Sequence, residues 1–339
     1  MSTRGGQPTL DEVAAHAGVG RGTASRVING SPQVSERTKA AVLKAVEELG
    51  YVPNQAARTL VTRRTGTVAL VIAESEERIF GEPFFAGVVR GISNALNEAS
   101  RQLVLSLVQG DEQVNRLGAY LSRQHVDGVL LLSLHDDGAF PVDLESRGIP
   151  MVLGGRSQLW DTASYVDVDN RGGAQQAVSY LIKTGRRSIA TITGPRGMAS
   201  GRDRHDGYVD ALTEEGMVAD PTLAEEGDFS EQSGRDAMEA LLARHPDIDA
   251  VFAASDLMAM GAMRTLARHG RAIPDDVAVV GFDGTAGSET TDPPLTTVRQ
   301  PLVRLGQEMA AMVLRRIEDP DLPTEQLVLP VELVVRSSA

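Results

Sequence analysis

Thr9-Leu10-Asp11-Glu12-Val13-Ala14-Ala15-His16-Ala17-Gly18-Val19-Gly20-Arg21-Gly22-Thr23-Ala24-Ser25-Arg26-Val27-Ile28-Asn29 contains two short helical patterns separated by a glycine turn. Thr9 can cap the first helix while Glu12, three residues on, reaches back to it, a capping box ahead of Val13, Ala14 and Ala17. Gly18 supplies the permissive backbone of the bend and Val19 plugs the space between the helices. A second helix from about Gly20 to Ile28 then turns Arg21, Gly22, Thr23, Ser25 and Arg26 outward. The pattern is a helix-turn-helix, and its outward set has the chemistry that contacts DNA.

Working outward, Ser35 can cap a third helix that carries Val42, Val46 and Leu49 at helical spacing and ends at Gly50, completing a three-helix bundle. Tyr51-Val52-Pro53 breaks it. The following Asn54 to Leu60 has helix-forming residues but too few apolar contacts to be stable alone, so it reads as a segment that folds on binding. Beyond Gly66 the pattern changes. Continuous apolar runs at Val68 to Ala73, Leu103 to Val108, Val126 to Leu132, Pro150 to Leu153, Ile189 to Thr193, Ala250 to Ala254 and Val277 to Phe282 are separated by helix-length segments, the signature of buried parallel strands in α/β layers. They are too many for one sheet of ordinary width, so two lobes of similar size are expected. Crossovers are placed around Trp160 to Asn170, near Thr291 to Pro294 and near Leu322 to Val331. The expected organisation is a DNA-binding domain over 1–52, a short helix and linker over 53–65, and an α/β body over 66–339. Within the body, one lobe takes about 66–164 and 293–324, the other about 165–292 and 325–339.

Charge is divided along the same lines. The chain of 339 residues has a formal charge of -13, which argues against general affinity for nucleic acid. Residues 1–64 carry nine Lys and Arg against five acids, or +4, leaving 24 basic against 41 acidic residues, or -17, in the remainder. Phosphate attraction is therefore confined to the small module. With no cysteine there is neither a disulfide framework nor a thiolate metal site. Met1 to Pro8 lacks the apolar core of a signal peptide, and no apolar run approaches the ~18 residues of a membrane span. A cytoplasmic protein without a metal or other cofactor is expected.

The residues also carry a family resemblance over essentially the whole chain. Thr9-Leu10-x-x-Val13-Ala14-x-x-Ala17-Gly18-Val19, Thr23-x-Ser25-Arg26-Val27-Ile28-Asn29-Gly30 and Gly50-Tyr51-x-Pro53-Asn54-x-x-Ala57-Arg58-x-Leu60 resemble the N-terminal segment of the LacI/GalR family of bacterial repressors. In the body, Gly194-Pro195, Arg202-x-Arg204-x-x-Gly207-Tyr208, Ala254-Ser255-Asp256-x-Met258-Ala259-x-Gly261, Val280-Gly281-Phe282-Asp283 and Pro294-Leu295-Thr296-Thr297-Val298 follow the order of that family's effector-binding core. The resemblance implies a two-lobed sensor like the periplasmic binding proteins, working as a homodimer on a palindromic operator.

It also implies roles. Arg21, Gly22 and Arg26 occupy base-reading positions, and arginine pairs in bidentate fashion with guanine O6 and N7, favouring G·C-rich half-sites; alternatively, one of the two arginines grips phosphate. Thr23, Ser25 and Asn29 look like phosphate contacts, and Thr9, with Asn54 and Ala57 on the hinge segment, is also placed among the DNA-binding residues. Leu60 resembles the leucine that paired hinge helices wedge into the minor groove; packing on its own domain is the other reading. Gly20 departs from the family, where a serine usually caps the recognition helix, so phosphate contact there falls to backbone N–H. In the body, Arg204 beside Gly194-Pro195 and Ser200 at a strand end can bridge two vicinal hydroxyls, and Asp283 can accept from hydroxyls. Phe80, Phe229 and Trp160 are candidates for the apolar faces of a sugar, and Ser255, Asp136 and Gln300 for polar contacts. For the aromatics the alternative is core packing, and for Arg204 with Asp283 a buried salt bridge without ligand.

Gly18-Val19-Gly20-Arg21-Gly22-Thr23, Leu60 to Thr65 and His125 to His135 are further similar to cellobiose-responsive repressors of actinobacteria, implying cellobiose or a short cello-oligosaccharide as effector. An enzyme is not expected. Gly18-x-Gly20-x-Gly22 follows no strand, and the nucleotide-loop, nucleophile-elbow and zinc-protease motifs are missing. A transport binding protein would share the body but need a signal peptide and no DNA module. A regulator that requires its ligand to bind DNA remains compatible with the sequence.

Overall fold

The computed structural model describes residues 8–28, 33–52, 64–122, 125–133, 144, 147–157 and 162–339. It divides into two compact units, residues 1–65 and 66–339.

The first unit is the expected three-helix bundle: α1 (Leu10–His16), α2 (Arg21–Ile28) and α3 (Glu36–Leu49). Thr9 and Glu12 form the capping box in both directions, Thr9 N donating to Glu12 Oε2 (2.7 Å) and Glu12 N to Thr9 Oγ1 (3.3 Å). Gly18 turns the chain with φ +65°, where a Cβ would be strained, and Gly50 ends α3 in the left-handed region that favours glycine. Val13, Ala14, Ala24, Val27, Val42 and Ala45 form a small core, with Val19, Val46 and Leu49 packed against it. Six mostly small buried side chains stabilise the unit only modestly.

The second unit contains two six-stranded sheets. The first lobe has β1 (Thr67–Ile72), β2 (Gln102–Leu107), β3 (Gly128–Leu132), β4 (Met151–Gly154), β5 (Tyr165–Val168) and β11 (Gln326–Leu329) in the order β11-β5-β4-β3-β1-β2. The second has β6 (Ile189–Thr193), β7 (Ala224–Glu226), β8 (Ala250–Ala253), β9 (Ala278–Asp283), β10 (Thr296–Arg299) and β12 (Glu332–Val334) in the order β12-β10-β9-β8-β6-β7. Pairing is parallel except that β12 runs antiparallel to β10.

Helices cover these sheets. In the first lobe, α4 (Glu76–Gly81) precedes α5 (Pro83–Glu98), α6 (Gly110–Tyr120) follows β2, and α11 (Leu302–Glu318) packs on α5. Val88, Ile92, Leu96, Met309, Met312 and Val313 bury one sheet face. In the second lobe, α7 (Asn170–Lys183) and α8 (Ala199–Glu214) cover one face, and α9 (Glu231–Arg244) and α10 (Asp256–Arg268) the other. Each large apolar side chain so buried contributes roughly 1.5–3 kcal/mol.

The sheets correct the expected lobe limits. β5 and β11 belong to the first sheet, so the stretch 165–168 and the stretch 326–329 were assigned to the wrong lobe; β10 belongs to the second, so 296–299 was too. The crossovers run through Asp169 and through Pro330 to Val331, inside two of the expected stretches, and through Gln300 to Pro301 rather than near Thr291 to Pro294. The reason is that β5, β10 and β11 have four residues each and include polar positions, such as Asp167 and Thr297, that blur the apolar signal.

Candidate functional site: a reading helix and an interlobe cleft

On α2, Arg21 and Arg26 are exposed. Arg21 Nε lies 3.5 Å from Asp11 Oδ1, and Arg26 Nε donates to its own helix at Gly22 O (3.1 Å). Both tethers are at the surface, so they hold the guanidinium groups weakly and leave them able to exchange partners. Thr23 and Ser25 are half-buried beside them. Gly20 O caps the helix from its backbone side, accepting from Thr23 N (2.8 Å) and Ala24 N (3.0 Å). A Cβ at Gly20 or Gly22 would meet nothing within 4 Å, and neither glycine has positive φ. Nothing inside the bundle requires glycine at 22, although glycine within a helix costs about 0.5–1 kcal/mol relative to alanine. Asn29, Asn54, Ala57 and Leu60 lie outside the described residues, as do Asp136 and Trp160.

The second site is a cleft of about 940 Å³, mouth included, at the carboxyl ends of strands from both sheets, the usual ligand position in parallel α/β layers. Of the expected residues, it brings together Ser200, Arg204, Phe229, Ser255, Asp283 and Gln300. Phe80 is a correction: it is 76% exposed on α4 and does not line the cleft, because it falls about 100° round that short helix from buried Ile79. Phe84 and Phe85, in edge-to-face contact at 5.2 Å, supply the first lobe's aromatic wall instead.

Arg204 is the centre of the polar wall. It is buried on α8, and Nε donates to Asn170 Oδ1 (2.8 Å) while Nη1 donates to Ala254 O (2.5 Å) and, at 3.5 Å, to Asp283 Oδ1. Nη2 makes no hydrogen bond among the described residues. The guanidinium lies over the Phe282 ring, 3.8 Å from its centroid. Asp283 ends β9 with φ +115°, a conformation that side chains rarely adopt, and its Oδ1 also accepts from Gln300 Nε2 (2.7 Å). Burial pulls the guanidinium's pKa down, opposed by Asp283, and pushes the Asp283 carboxyl up, opposed by Arg204 and Gln300. Across 3.5 Å each charge only partly offsets the other's desolvation.

Asp256 supports the strand end from below. It is fully buried, accepts from Thr285 N (2.6 Å), Thr285 Oγ1 (2.9 Å) and Thr297 Oγ1 (2.5 Å), and burial beside Asp283 raises its pKa to about 7. Ser255 spends its hydroxyl on structure: it donates to Phe229 O (3.3 Å) and accepts from Met258 N (3.2 Å) as the cap of α10. Phe229 has φ +71°, and its ring fills the space a Cβ at Gly194 would need.

Several lining residues were not expected. From the first lobe come Arg78, Glu82, Arg156 and Asp167, and from the crossover Asn170. Arg78 donates to Glu74 and Glu82 (2.6 Å each), and Ser133 Oγ donates to Glu74 (2.6 Å). Had β5 been read as a strand, Asp167 and Asn170 would have fallen at its carboxyl end, where ligand groups gather.

Glu82 is a cleft carboxyl whose neutral form is favoured by its surroundings. Burial pushes its pKa to about 7, against the pull of Arg78. A carboxyl whose folded pKa is raised stabilises the fold most when protonated, and that contribution fades as pH rises through about 7. Denaturant unfolding at pH 5 and pH 8 is expected to show wild type losing stability relative to Glu82→Gln as pH rises; a constant difference would remove the assignment.

Comparison with known proteins covers both parts of the chain. Residues 9–54 match the bacterial regulatory proteins of the lacI family, and residues 178–339 match a periplasmic binding protein-like domain. The chain is 53% identical over 334 residues to the HTH-type transcriptional regulator CelR of Thermobifida fusca, covering 98% of both, and 33% identical to the ribose operon repressor of Halalkalibacterium halodurans, covering 97% of this chain and 96% of that protein. Among solved structures it resembles a CelR-cellobiose complex (TM-score 0.80, 51% identity, covering 98% of this chain and 100% of that one). It also resembles the lac repressor dimer bound to operator and the anti-inducer ONPF (TM-score 0.84, 28% identity, covering 98% and 99%). With a helix-turn-helix at one end and a two-lobed α/β body matching those repressors along nearly its full length, the chain belongs to the LacI family of bacterial transcriptional regulators.

Proposed function

We propose that this protein is a homodimeric repressor of carbohydrate-utilisation genes that reads an inverted-repeat operator with α2 and releases it when cellobiose or a short cello-oligosaccharide occupies the interlobe cleft. The observation that carries the effector half is the buried, half-compensated Arg204 and Asp283 pair beside Phe229. A planar donor whose Nη2, with its two N–H groups, is uncommitted among the described residues, an acceptor and an aromatic face are the groups that vicinal hydroxyls and the apolar side of a pyranose require. A CelR 51% identical to this chain, matched over 98% of it, has been solved as a cellobiose complex, and the same sugar is the favoured effector here. Exposed Val104 and Leu105 on the edge strand β2 offer apolar surface for a second copy. Acting on DNA, the protein works in the cytoplasm.

For the reading half, Arg21 contacts guanine and Gly22 lets the backbone of α2 approach the base edges. Arg21→Ala is expected to weaken binding by ~1–3 kcal/mol at one base pair per half-site. Gly22→Ala is expected to stabilise the domain by about 0.5–1 kcal/mol while weakening the operator complex. Anisotropy titrations against operators varied at each position check both: a uniform loss on all sequences for Arg21→Ala would make it a phosphate contact, and undiminished affinity for Gly22→Ala would remove the close approach.

A further inference from the structure

Between described residues, one ion pair crosses from the first lobe to the second: Arg156 with Asp203. Arg156 follows β4 in the first lobe, where its Nε donates to Asp167 Oδ2 (3.0 Å) and its backbone N to the same oxygen (3.3 Å). Its Nη2 donates to Asp203 Oδ2 on α8 of the second lobe. Asp167 Oδ1 in turn accepts from Asn170 Nδ2 (3.1 Å), and Asn170 Oδ1 accepts from Arg204 (2.8 Å). The chain Arg156, Asp167, Asn170, Arg204 therefore runs through a crossover to the central arginine of the cleft, and Asp203, the neighbour of Arg204 in sequence, closes it into a ring. Asp203 itself does not line the cleft. The other charged pairs around the cleft, Arg78 with Glu74 and Glu82, and Arg204 with Asp283, each lie within one lobe, so movement of the lobes does not make or break them.

We propose that Asp203 is a positioning residue for the effector: its ion pair with Arg156 forms as the lobes close on a sugar and holds Arg204 against the ligand, an inference that rests on the cleft being the effector site. Asp203 touches no ligand group and acts through Arg156. A neutral sugar binding to a rigid site has no reason to respond to ionic strength, whereas a closure that forms an ion pair between side chains 37% and 23% exposed is screened by salt. The affinity of full-length wild-type protein for cellobiose is therefore expected to fall as sodium chloride rises from 20 to 500 mM, roughly threefold or more, the range over which partly exposed pairs are screened.

Calorimetric titration with cellobiose at both salt concentrations tests this on wild type, Asp203→Asn, Asp203→Glu and Arg156→Lys. Asp203→Asn is expected to weaken binding about three- to tenfold at low salt and to abolish the salt dependence. Asp203→Glu and Arg156→Lys, which keep the charges, retain it. A purely structural role would lower thermal stability without altering the salt response. If Asp203→Asn binds cellobiose as tightly as wild type, with the same salt dependence, the inference is overturned while the effector reading stands. If wild type itself binds neither cellobiose nor cellotriose, the effector reading fails and the inference falls with it.

Discussion

Arg204→Ala is expected to abolish the response to sugar while the protein still holds its operator. The guanidinium donates from a buried position, and hydrogen bonds from a charged group contribute ~1.5–3 kcal/mol each. Losing two of them to a ligand lowers cellobiose affinity more than about a hundredfold. The substitution also strands Asp283, which is 9% exposed, without its cation; removing one member of a buried pair costs about 3–5 kcal/mol of stability. Arg204→Lys separates the two effects. It keeps the charge beside Asp283 and so keeps the fold, but it lacks the planar fork that spans two hydroxyls, and a large loss of sugar affinity is expected with little loss of stability. Calorimetry with cellobiose and urea denaturation check the pair of variants, and undiminished sugar binding in Arg204→Lys would move the effector contact elsewhere.

The largest effect on stability alone is expected at the glycine contact between α5 and α11. A Cβ at Gly91 would lie 2.0 Å from Val303 O, and one at Gly306 would lie 2.1 Å from Val88 O. Each helix presses its backbone against the other's glycine, so the obstruction is not a side chain that can swing away. Gly91→Val is expected to cost about 3 kcal/mol or more, at the upper end of overpacking effects. The consequence reaches the site, because α5 begins at the cleft with Pro83 and Phe84 and α11 begins beside Gln300. Urea unfolding should show a lowered midpoint, and cellobiose affinity should fall with it; a midpoint within experimental error of wild type would show that the helices separate at little cost.

What the sequence disclosed follows from how local each signal is. The helix-turn-helix was legible to within a residue because capping box, glycine turn and αL glycine all lie within a few positions of the elements they define. Long apolar strands such as β1, β3 and β9 were equally plain. β5, β10 and β11 were not, because four residues with polar members carry almost no periodicity and their sheet is chosen by pairing with strands far away in sequence. That failure displaced the lobe limits. It also hid Asp167 and Asn170, whose importance comes only from standing at the end of β5. Arg204 and Asp283, which line the cleft, lie in motifs quoted residue by residue, whereas Asp203 sits at a position those motifs leave open. Phe80 illustrates the converse: residue type pointed to a sugar face, but one step around a short helix sent it to solvent and left Phe84 in its place.

Effector and operator are coupled reciprocally in this account, since a ligand that favours one lobe arrangement and DNA that favours another must weaken each other by the same factor. The most direct test adds cellobiose, cellotriose, maltose, lactose and a purine in turn to the protein-operator complex and follows fluorescence anisotropy. Release by cellobiose or cellotriose, with operator DNA weakening cellobiose binding by an equal factor, is the expected result. A ligand from the set that tightened the complex instead would contradict it, and would make the cleft around Arg204 and Asp283 a co-repressor site.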